Sequence, residues 1–327
     1  MSSILHVNRK EVILMEEQPR QARFQRKRKL RKGRTLFVGL LIIIIGLLGY
    51  SYMQYKSGYN LASETKIPEE QFEPDENHRT VENYLIAGVD SRGEEQSRSD
   101  TMMLLSWNRD TNDMKLVSFM RDIYADIPEH QSYKLNTAYY LGGISLLKDT
   151  LNNMFDIPIH HYAIIDFKSF ESLIDILAPN GIEMDVEKDM SGDIQVEIKK
   201  GLQQLNGKEL LGYARFRSDA EGDFGRVERQ QKVIEALKEE LISPKNLPNM
   251  PKFIGAAEGY ITTDLTSKDQ LSTVLKAVSG GTMNVEKLTI PAEGTYSFGS
   301  YRHAGSVLEI DVDENKQILH DFLNLAE

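Results

Sequence analysis

Two aspartates, Asp90 and Asp100, flank a short polar loop in GVDSRGEEQSRSDT. Seven arginines crowd this and three other short segments: Arg92 and Arg98 here, Arg121 in FMRD, Arg215 and Arg217 in YARFR, and Arg226 and Arg229 in DFGRVERQQ. Arginine stays charged at any working pH, and its planar fork matches phosphate oxygens two at a time. One or two carboxylates can hold a hard cation such as Mg²⁺, with phosphate oxygens and water completing its shell. Together these residue types predict a phosphoryl-group site. Each has a plainer reading. Asp100 can cap a turn, and Asp90 can pair with an arginine.

The spacing within the arginine segments carries further expectations. On a strand, Arg215 and Arg217 leave the same face, so either an anion lies between them or they pair at a solvated edge with Asp219 or Glu221. Arg226, Arg229 and Gln230 share one face of the helix after Gly225. Arg226 in the first turn opposes the helix dipole unless an anion binds there. Asp223, just ahead, can cap that end. A surface helix with Glu228 and Glu235 as partners accounts for Arg229 but poorly for Arg226. Lys134 and Asn136 follow Arg121 and Asp122, and add a donor and a polar contact. His160 and His161 are adjacent on a strand, so they point to opposite faces, and they read as structural. The chain lacks G-x-S-x-G, P-loop, Rossmann and H-E-x-x-H motifs, which leaves serine hydrolase, NTPase, dehydrogenase and zincin chemistry unsupported.

These residues need a scaffold. Apolar runs predict strands at 84–89, 101–107, 114–120, 161–167 and 181–186. Helical spacing covers 135–155, split at Gly142 and Gly143. Further helices are expected at 168–177, 206–212, 224–241, 249–258, 267–279 and 313–325. A short strand at 213–216 and strands near 286–291 and 306–311 complete the pattern. Alternating helices and doubly buried strands predict an α/β/α sandwich around a mixed sheet. In such sheets ligands bind beyond strand ends, where Asp90 and Arg121 close strands and Asp100 precedes one.

Charge divides the 327 residues unevenly: residues 1–34 carry 11 Lys/Arg against 3 Asp/Glu, inside a net charge of −10. The next 21 residues, 35–55, hold no charge, enough for a helix to span a hydrocarbon core of about 30 Å. The basic leader upstream predicts a cytoplasmic tail at 1–34 and an anchor at 35–55. A juxtamembrane linker at 56–80 and an extracytoplasmic catalytic domain at 81–327 follow. A leader this short cannot fold into a DNA-binding domain, so no nucleic-acid partner is expected. There are no cysteines, which excludes disulfides and thiolate chemistry.

The segments LIAGVDSR, RSDTMMLLSW, KLVSFMRDIYADIP, KLNTAYYLGG, IPIHHYAIIDF, LNGKELLGYARFR and GDFGRVERQQ occur in one order from about residue 84 to 240. In sequence and spacing they resemble the LytR-CpsA-Psr family, and within it a staphylococcal type. The resemblance implies that family's α/β/α fold. It also implies transfer of an anionic glycopolymer, such as wall teichoic acid or capsule, from undecaprenyl pyrophosphate to a muramic acid 6-hydroxyl of peptidoglycan, through a phosphodiester. Partners would be the polyprenyl-pyrophosphate-linked glycopolymer, peptidoglycan and membrane lipid. Carried over by position, Asp90 and Asp100 are the ligands of Mg²⁺, or of Mn²⁺ in its place. Arg98, Arg121, Arg215, Arg217, Arg226 and Gln230 bind the pyrophosphate, with Lys134, Asp223, Arg92 and Arg229 completing the set. Asp90, Asp100 and Arg121 carry the chemistry, with Asp90 as the group that takes the acceptor proton. Three alternatives stay open: hydrolysis at the same site, a membrane-bound regulator of envelope gene expression without direct DNA binding, and a lipid sensor without turnover.

Overall fold

A computed structural model describes residues 32–62, 67–76, 80–90, 98–192, 194–270, 272–273 and 285–325. The chain divides into two units, Met1–Leu47 and Leu48–Glu327. Residues 1–31 of the expected tail, the Arg92 position and most of the expected helix 267–279 lie outside the described residues.

Helix α1 runs Lys32–Ala62. Its stretch Leu36–Ala62 is long and apolar enough to cross a membrane. The helix does not give way to a linker at residue 56. Its last turns pack on helix α6 (Met250–Tyr260). Gly58 lies against the backbone of Lys252 and Ala256, and Gly255 lies against the backbone of Tyr55. A Cβ at either glycine would collide with main chain, so the contact depends on absent side chains. That is why polar composition concealed it. The Tyr55 hydroxyl adds a hydrogen bond to Glu258.

Residues 67–76 are docked as well. Ile67 and Phe72 pack on the main core. The Asp75 carboxylate accepts hydrogen bonds from the Ile159 N–H at 2.7 Å and Asn152 Nδ2 at 3.0 Å, and pairs with Lys148 Nζ at 2.9 Å. Burial alone would raise the Asp75 pKa. The Ile159, Asn152 and Lys148 donors outweigh it and hold Asp75 below the usual carboxylate range. A carboxylate depressed on folding contributes stability above its unfolded value of about 3.9, and that contribution disappears as pH falls through the folded value. Asp75→Asn is therefore expected to flatten the acid limb of a stability–pH curve measured by urea unfolding. An unchanged slope below about pH 4 would refute this role.

The central sheet has six strands in the order β10-β3-β2-β1-β6-β9. They are β1 (Val81–Val89), β2 (Ser99–Asn108), β3 (Met114–Phe119), β6 (His161–Asp166), β9 (Thr262–Thr263) and β10 (Val285–Ile290). β1 pairs parallel with β6 and β3 parallel with β10, while β1–β2, β2–β3 and β6–β9 are antiparallel. Strand alternation assigns the faces. Val117 and Phe119 join the core with helix α2 (Asn136–Phe155) and the last helix, α7 (Val312–Leu323). Ser118, between them, accepts a 3.1 Å hydrogen bond from Gln231 of helix α5 (Gly222–Ile242) on the other face. Helices α3 (Phe167–Leu177), α5 and α6 cover that second face, and α4 (Gly207–Arg215) packs against α3 and α5. The expected sandwich with a mixed sheet is the observed architecture.

Two local features differ from, or sharpen, expectation. Helix α2 breaks where Gly142 and Gly143 leave helical geometry, with Gly143 at φ 65°. The N–H of Ile144 freed by the break is taken by Glu70 Oε2 at 2.6 Å. No strand forms at 213–216. Helix α4 opens with a capping box between Asn206 and Glu209 and runs unbroken to Arg215. Its buried Leu210, Leu211, Tyr213 and Ala214 make a helical face, and the β-prone Tyr213 is absorbed by packing. Arg215 thus ends a helix and Arg217 lies in the following loop, so their spacing as strand neighbours does not apply. Three two-stranded sheets complete the fold: β4 (Tyr124–Ala125) with β5 (Tyr133–Lys134), β7 (Ile182–Val186) with β8 (Gly201–Leu205), and β11 (Tyr296–Tyr301) with β12 (Gly305–Ile310).

Candidate functional site

The site lies beyond the ends of β1, β2 and β3. Asp90 is the first residue after β1. Asp100 sits where the β1–β2 register shifts: Gly88 pairs with Thr101 and Val89 with Ser99. The bulge leaves Asp100 without a strand partner and turns its carboxylate toward the site. Arg121 follows β3 by two residues. Its Nη1 pairs with Asp100 Oδ1 at 2.7 Å, and its Nε pairs with Asp223 Oδ2 at 3.2 Å and lies 3.6 Å from Asp122 Oδ2. Burial pulls the Arg121 pKa down, and the Asp223, Asp100 and Asp122 carboxylates more than offset it, leaving the guanidinium more firmly charged.

Two recesses meet at Asp100 and Arg121. The smaller, about 80 Å³, is lined by Thr101, Phe167, Arg215, Arg217, Arg226 and Gln230 among others. The broader, about 610 Å³, is lined by Asp90, Arg98, Asp122, Tyr133, Lys134 and Tyr140 among others. The structure therefore brings Asp90, Asp100, Arg98, Arg121, Lys134, Arg215, Arg217, Arg226 and Gln230 around one locus. Arg215 Nη2 lies 3.6 Å from Asp90 Oδ2, and its guanidinium sits 4.5 Å over the Phe167 ring. Gln230 Nε2 donates to Thr101 Oγ1 at 2.9 Å.

Arg226 is the unusual member. It is 4% exposed, and among the described residues its Nε has no hydrogen-bond partner. Among the described residues its one ion pair is Nη1 to Asp223 Oδ1 at 3.2 Å. Burial lowers its pKa, and repulsion from Arg121 lowers it further. It occupies the second turn of α5, not the first, because that helix begins at Gly222. Asp223 is accordingly inside the helix. It bridges Arg121 and Arg226 rather than capping the end. Burial and the adjacent Asp122 carboxyl raise the Asp223 pKa above the usual range.

Arg229 does not join the site. It is 1% exposed, and its donors are taken by Glu187 at 2.7 Å, the Phe216 carbonyl at 3.0 Å, Glu221 at 3.2 Å and Asp219. The pairs with Glu228 and Glu235 that sequence offered are replaced by carboxylates from the β7 side and the α4–α5 loop. The histidines are structural in geometry. His160 Nδ1 accepts the Asn83 N–H at 2.9 Å, and His161 Nδ1 is 2.7 Å from Asp264. Burial lowers the His160 pKa, which favours the neutral ring.

Sequence reasoning passed over Asp122, which accepts from Lys134 Nζ at 2.7 Å and completes the carboxylate group around Arg121. Its adjacency to Arg121 was the available signal. It also passed over Thr101, Phe167, Tyr133 and Tyr140, which read as ordinary strand, core or helix residues.

Comparison with known proteins bears on the family and the fold. The LytR_cpsA_psr family model matches residues 49–319. The regulatory protein MsrR of Staphylococcus aureus (strain COL) is 41% identical over 281 residues, covering 85% of this chain and 86% of that protein. The polyisoprenyl-teichoic acid–peptidoglycan teichoic acid transferase TagU of Bacillus anthracis (strain CDC 684 / NRRL 3495) is 31% identical over 277 residues, covering 80% and 89%. Among solved structures, B. subtilis TagV superposes with a TM-score of 0.64 at 25% identity, covering 77% of this chain and 100% of that one. TagT bound to LI-WTA superposes with a TM-score of 0.59 at 26% identity, covering 78% and 94%. With matching motifs, fold and most of its length in common, the chain belongs to the LytR_cpsA_psr family.

Proposed function

We propose that this protein transfers an anionic glycopolymer from a polyprenyl-pyrophosphate carrier to peptidoglycan, leaving a phosphodiester link. The observation that carries the reading is Arg226, a buried guanidinium with an unpartnered Nε beside a second cation, in a pocket lined by Arg215, Arg217 and Gln230. A buried charge without full compensation is costly, and a pyrophosphate supplies the missing acceptors. The names of TagU and of TagT with its LI-WTA support the substrate class. The apolar helix would hold the domain at the membrane, with the basic tail inside and the site outside.

In this reading the acceptor hydroxyl oxygen bonds to the sugar-bound phosphorus. The bond from that phosphorus to the bridging oxygen breaks, and polyprenyl phosphate leaves. Arg121, Arg215, Arg217 and Arg226 neutralise charge on the transferring and leaving phosphates. Asp90 takes the hydroxyl proton. Asp90 and Asp100 line the same recess and offer hard oxygen donors, which suits Mg²⁺ with phosphate and water completing the shell. When bound, Mg²⁺ would add Lewis-acid charge stabilisation at the phosphoryl oxygens.

The test uses the full chain in detergent with Mg²⁺, a polyprenyl-pyrophosphate disaccharide and peptidoglycan oligomers, followed by mass spectrometry. A phosphodiester adduct, lost in Arg121→Ala and Asp100→Ala, is expected. Free glycosyl phosphate without adduct would replace transfer by hydrolysis, and intact lipid would replace it by sensing. Asp90→Asn is expected to slow turnover by about 10²–10⁴-fold, the range of general-base catalysis. Normal turnover of Asp90→Asn with Mg²⁺ bound would remove Asp90 from the proton-transfer role.

A further inference from the structure

The hairpin β11–β12 lies beyond the short segments between residues 84 and 240 that carry the sequence resemblance, yet its turn reaches the site. Tyr124 and Tyr301 stack with ring centroids 4.3 Å apart and planes 12° apart. His303 lies 5.6 Å from the Tyr133 ring and 5.7 Å from the Tyr301 ring. Its Nε2 is 3.1 Å from the Ser132 carbonyl oxygen and 3.4 Å from the Tyr124 hydroxyl. The cluster is tied by main chain to the strand end that carries Arg121 and Asp122. Leu308 N–H donates to the Asp122 carbonyl at 2.8 Å, and Ile123 bridges to Leu308. Tyr133 and Ala304, one residue from His303, line the broad recess, together with Tyr140, which is 37% exposed.

We propose that this tyrosine–histidine cluster is the docking platform for the acceptor glycan, holding a pyranose ring of the peptidoglycan strand. Aromatic faces attract the polarised C–H groups of a sugar ring, and the Tyr133 and His303 tips hydrogen-bond its hydroxyls, whereas the Tyr301 hydroxyl donates to Glu309 Oε1 at 2.6 Å and leaves that residue to act through its ring. The geometry favours the acceptor. Attacking and leaving oxygens of a phosphoryl transfer lie roughly in line. A leaving phosphate among Arg215, Arg217 and Arg226 places the incoming hydroxyl in the broad recess, across Asp100 and Arg121. The direction of approach rests on the transfer reading above, whereas the affinity for a glycan does not.

The experiment has two arms, both with the full chain in detergent. In the first, a soluble uncross-linked glycan-strand fragment is titrated calorimetrically without donor. Wild type and Tyr301→Phe are expected to bind alike, and Tyr301→Leu and His303→Ala to bind at least about tenfold more weakly. Wild-type affinity in both Tyr301→Leu and His303→Ala would overturn the platform. His303 lies on the exposed turn, so its variant keeps the test open if the leucine variant fails to fold. In the second arm, acceptor KM is expected to rise in these variants while donor KM stays. A rise in donor KM alone would assign the surface to the donor sugar and overturn the proposal. Glycan binding by wild type without any adduct would sink the transfer reading and leave the platform standing. Adduct formation at unchanged acceptor KM in the variants would do the reverse.

Discussion

Arg226→Met is expected to reduce transfer by about 10²–10³-fold while leaving the ligand-free protein within about 1 kcal/mol of wild-type stability. Loss of one preorganised donor to the developing phosphate charge accounts for the rate. The stability result follows from opposing terms. Arg226 is 4% exposed with an unpartnered Nε, so the ligand-free fold carries a desolvated cation with incomplete compensation. Methionine fills much of the same volume without that cost. Against this, Asp223 loses its 3.2 Å partner but retains Arg121 at 3.2 Å. Asp223 already holds its proton to higher pH than an ordinary aspartate, so it neutralises readily. The check is urea unfolding with and without inorganic pyrophosphate. Pyrophosphate should raise the wild-type midpoint by linkage and shift the variant much less. Equal shifts in both proteins would mean that Arg226 is not an anion ligand.

Arg229→Met, three residues along the same helix, is expected to do the opposite, costing about 3–5 kcal/mol of stability. Arg229 is 1% exposed and fully engaged, with Glu187, Asp219, Glu221 and the Phe216 carbonyl around one guanidinium. Its removal takes the buried cation from three carboxylates, leaving Asp219 and Glu221 with Lys188 and Glu187 with the Tyr213 hydroxyl, and takes a donor from the Phe216 carbonyl; these losses set the cost. The same contacts fix the loop that carries Arg217, so folded variant should also bind pyrophosphate less well. The pH dependence has a defined sign. Burial pushes Glu187 and Asp219 up, but hydrogen bonds from Arg229 and their other donors hold both below the usual carboxylate range. Their contribution is present above the unfolded values of about 3.9 and 4.3 and lost as pH falls through the folded ones. The gap between wild type and variant should therefore narrow below about pH 4. A cost under about 1 kcal/mol at neutral pH would show the network to be no better than a surface pair.

The contrast between these arginines marks how far sequence reasoning reaches. Both stood on one helical face by spacing, and both were assigned to the phosphate set. The assignment of Arg226 rested on the helix dipole, yet the helix begins at Gly222, two residues earlier than expected, so that argument was misplaced. What singles Arg226 out is an unpartnered buried Nε, which no spacing rule reports. Arg229 was drawn off by Glu187, which lies 42 residues away in the chain. Similarly, the Arg215 and Arg217 pair was read on a strand because Tyr213 and Phe216 favour one. The Asn206–Glu209 capping box and a buried helical face prevailed.

Sequence by itself determined the alternation of strands and helices, the break at Gly142 and Gly143, the apolar helix after a basic leader, and the types of charged residue at strand ends. These follow from periodicity, turn chemistry and charge, which act between near neighbours in the chain. Tertiary structure alone decided which cations share a locus, that Asp122 belongs with them, that residues 67–76 are docked, and that the 301–304 turn reaches the recess. Those outcomes depend on desolvation and on partners far apart in sequence. The energy of a charge is set by whatever the fold packs around it, not by its neighbours along the chain.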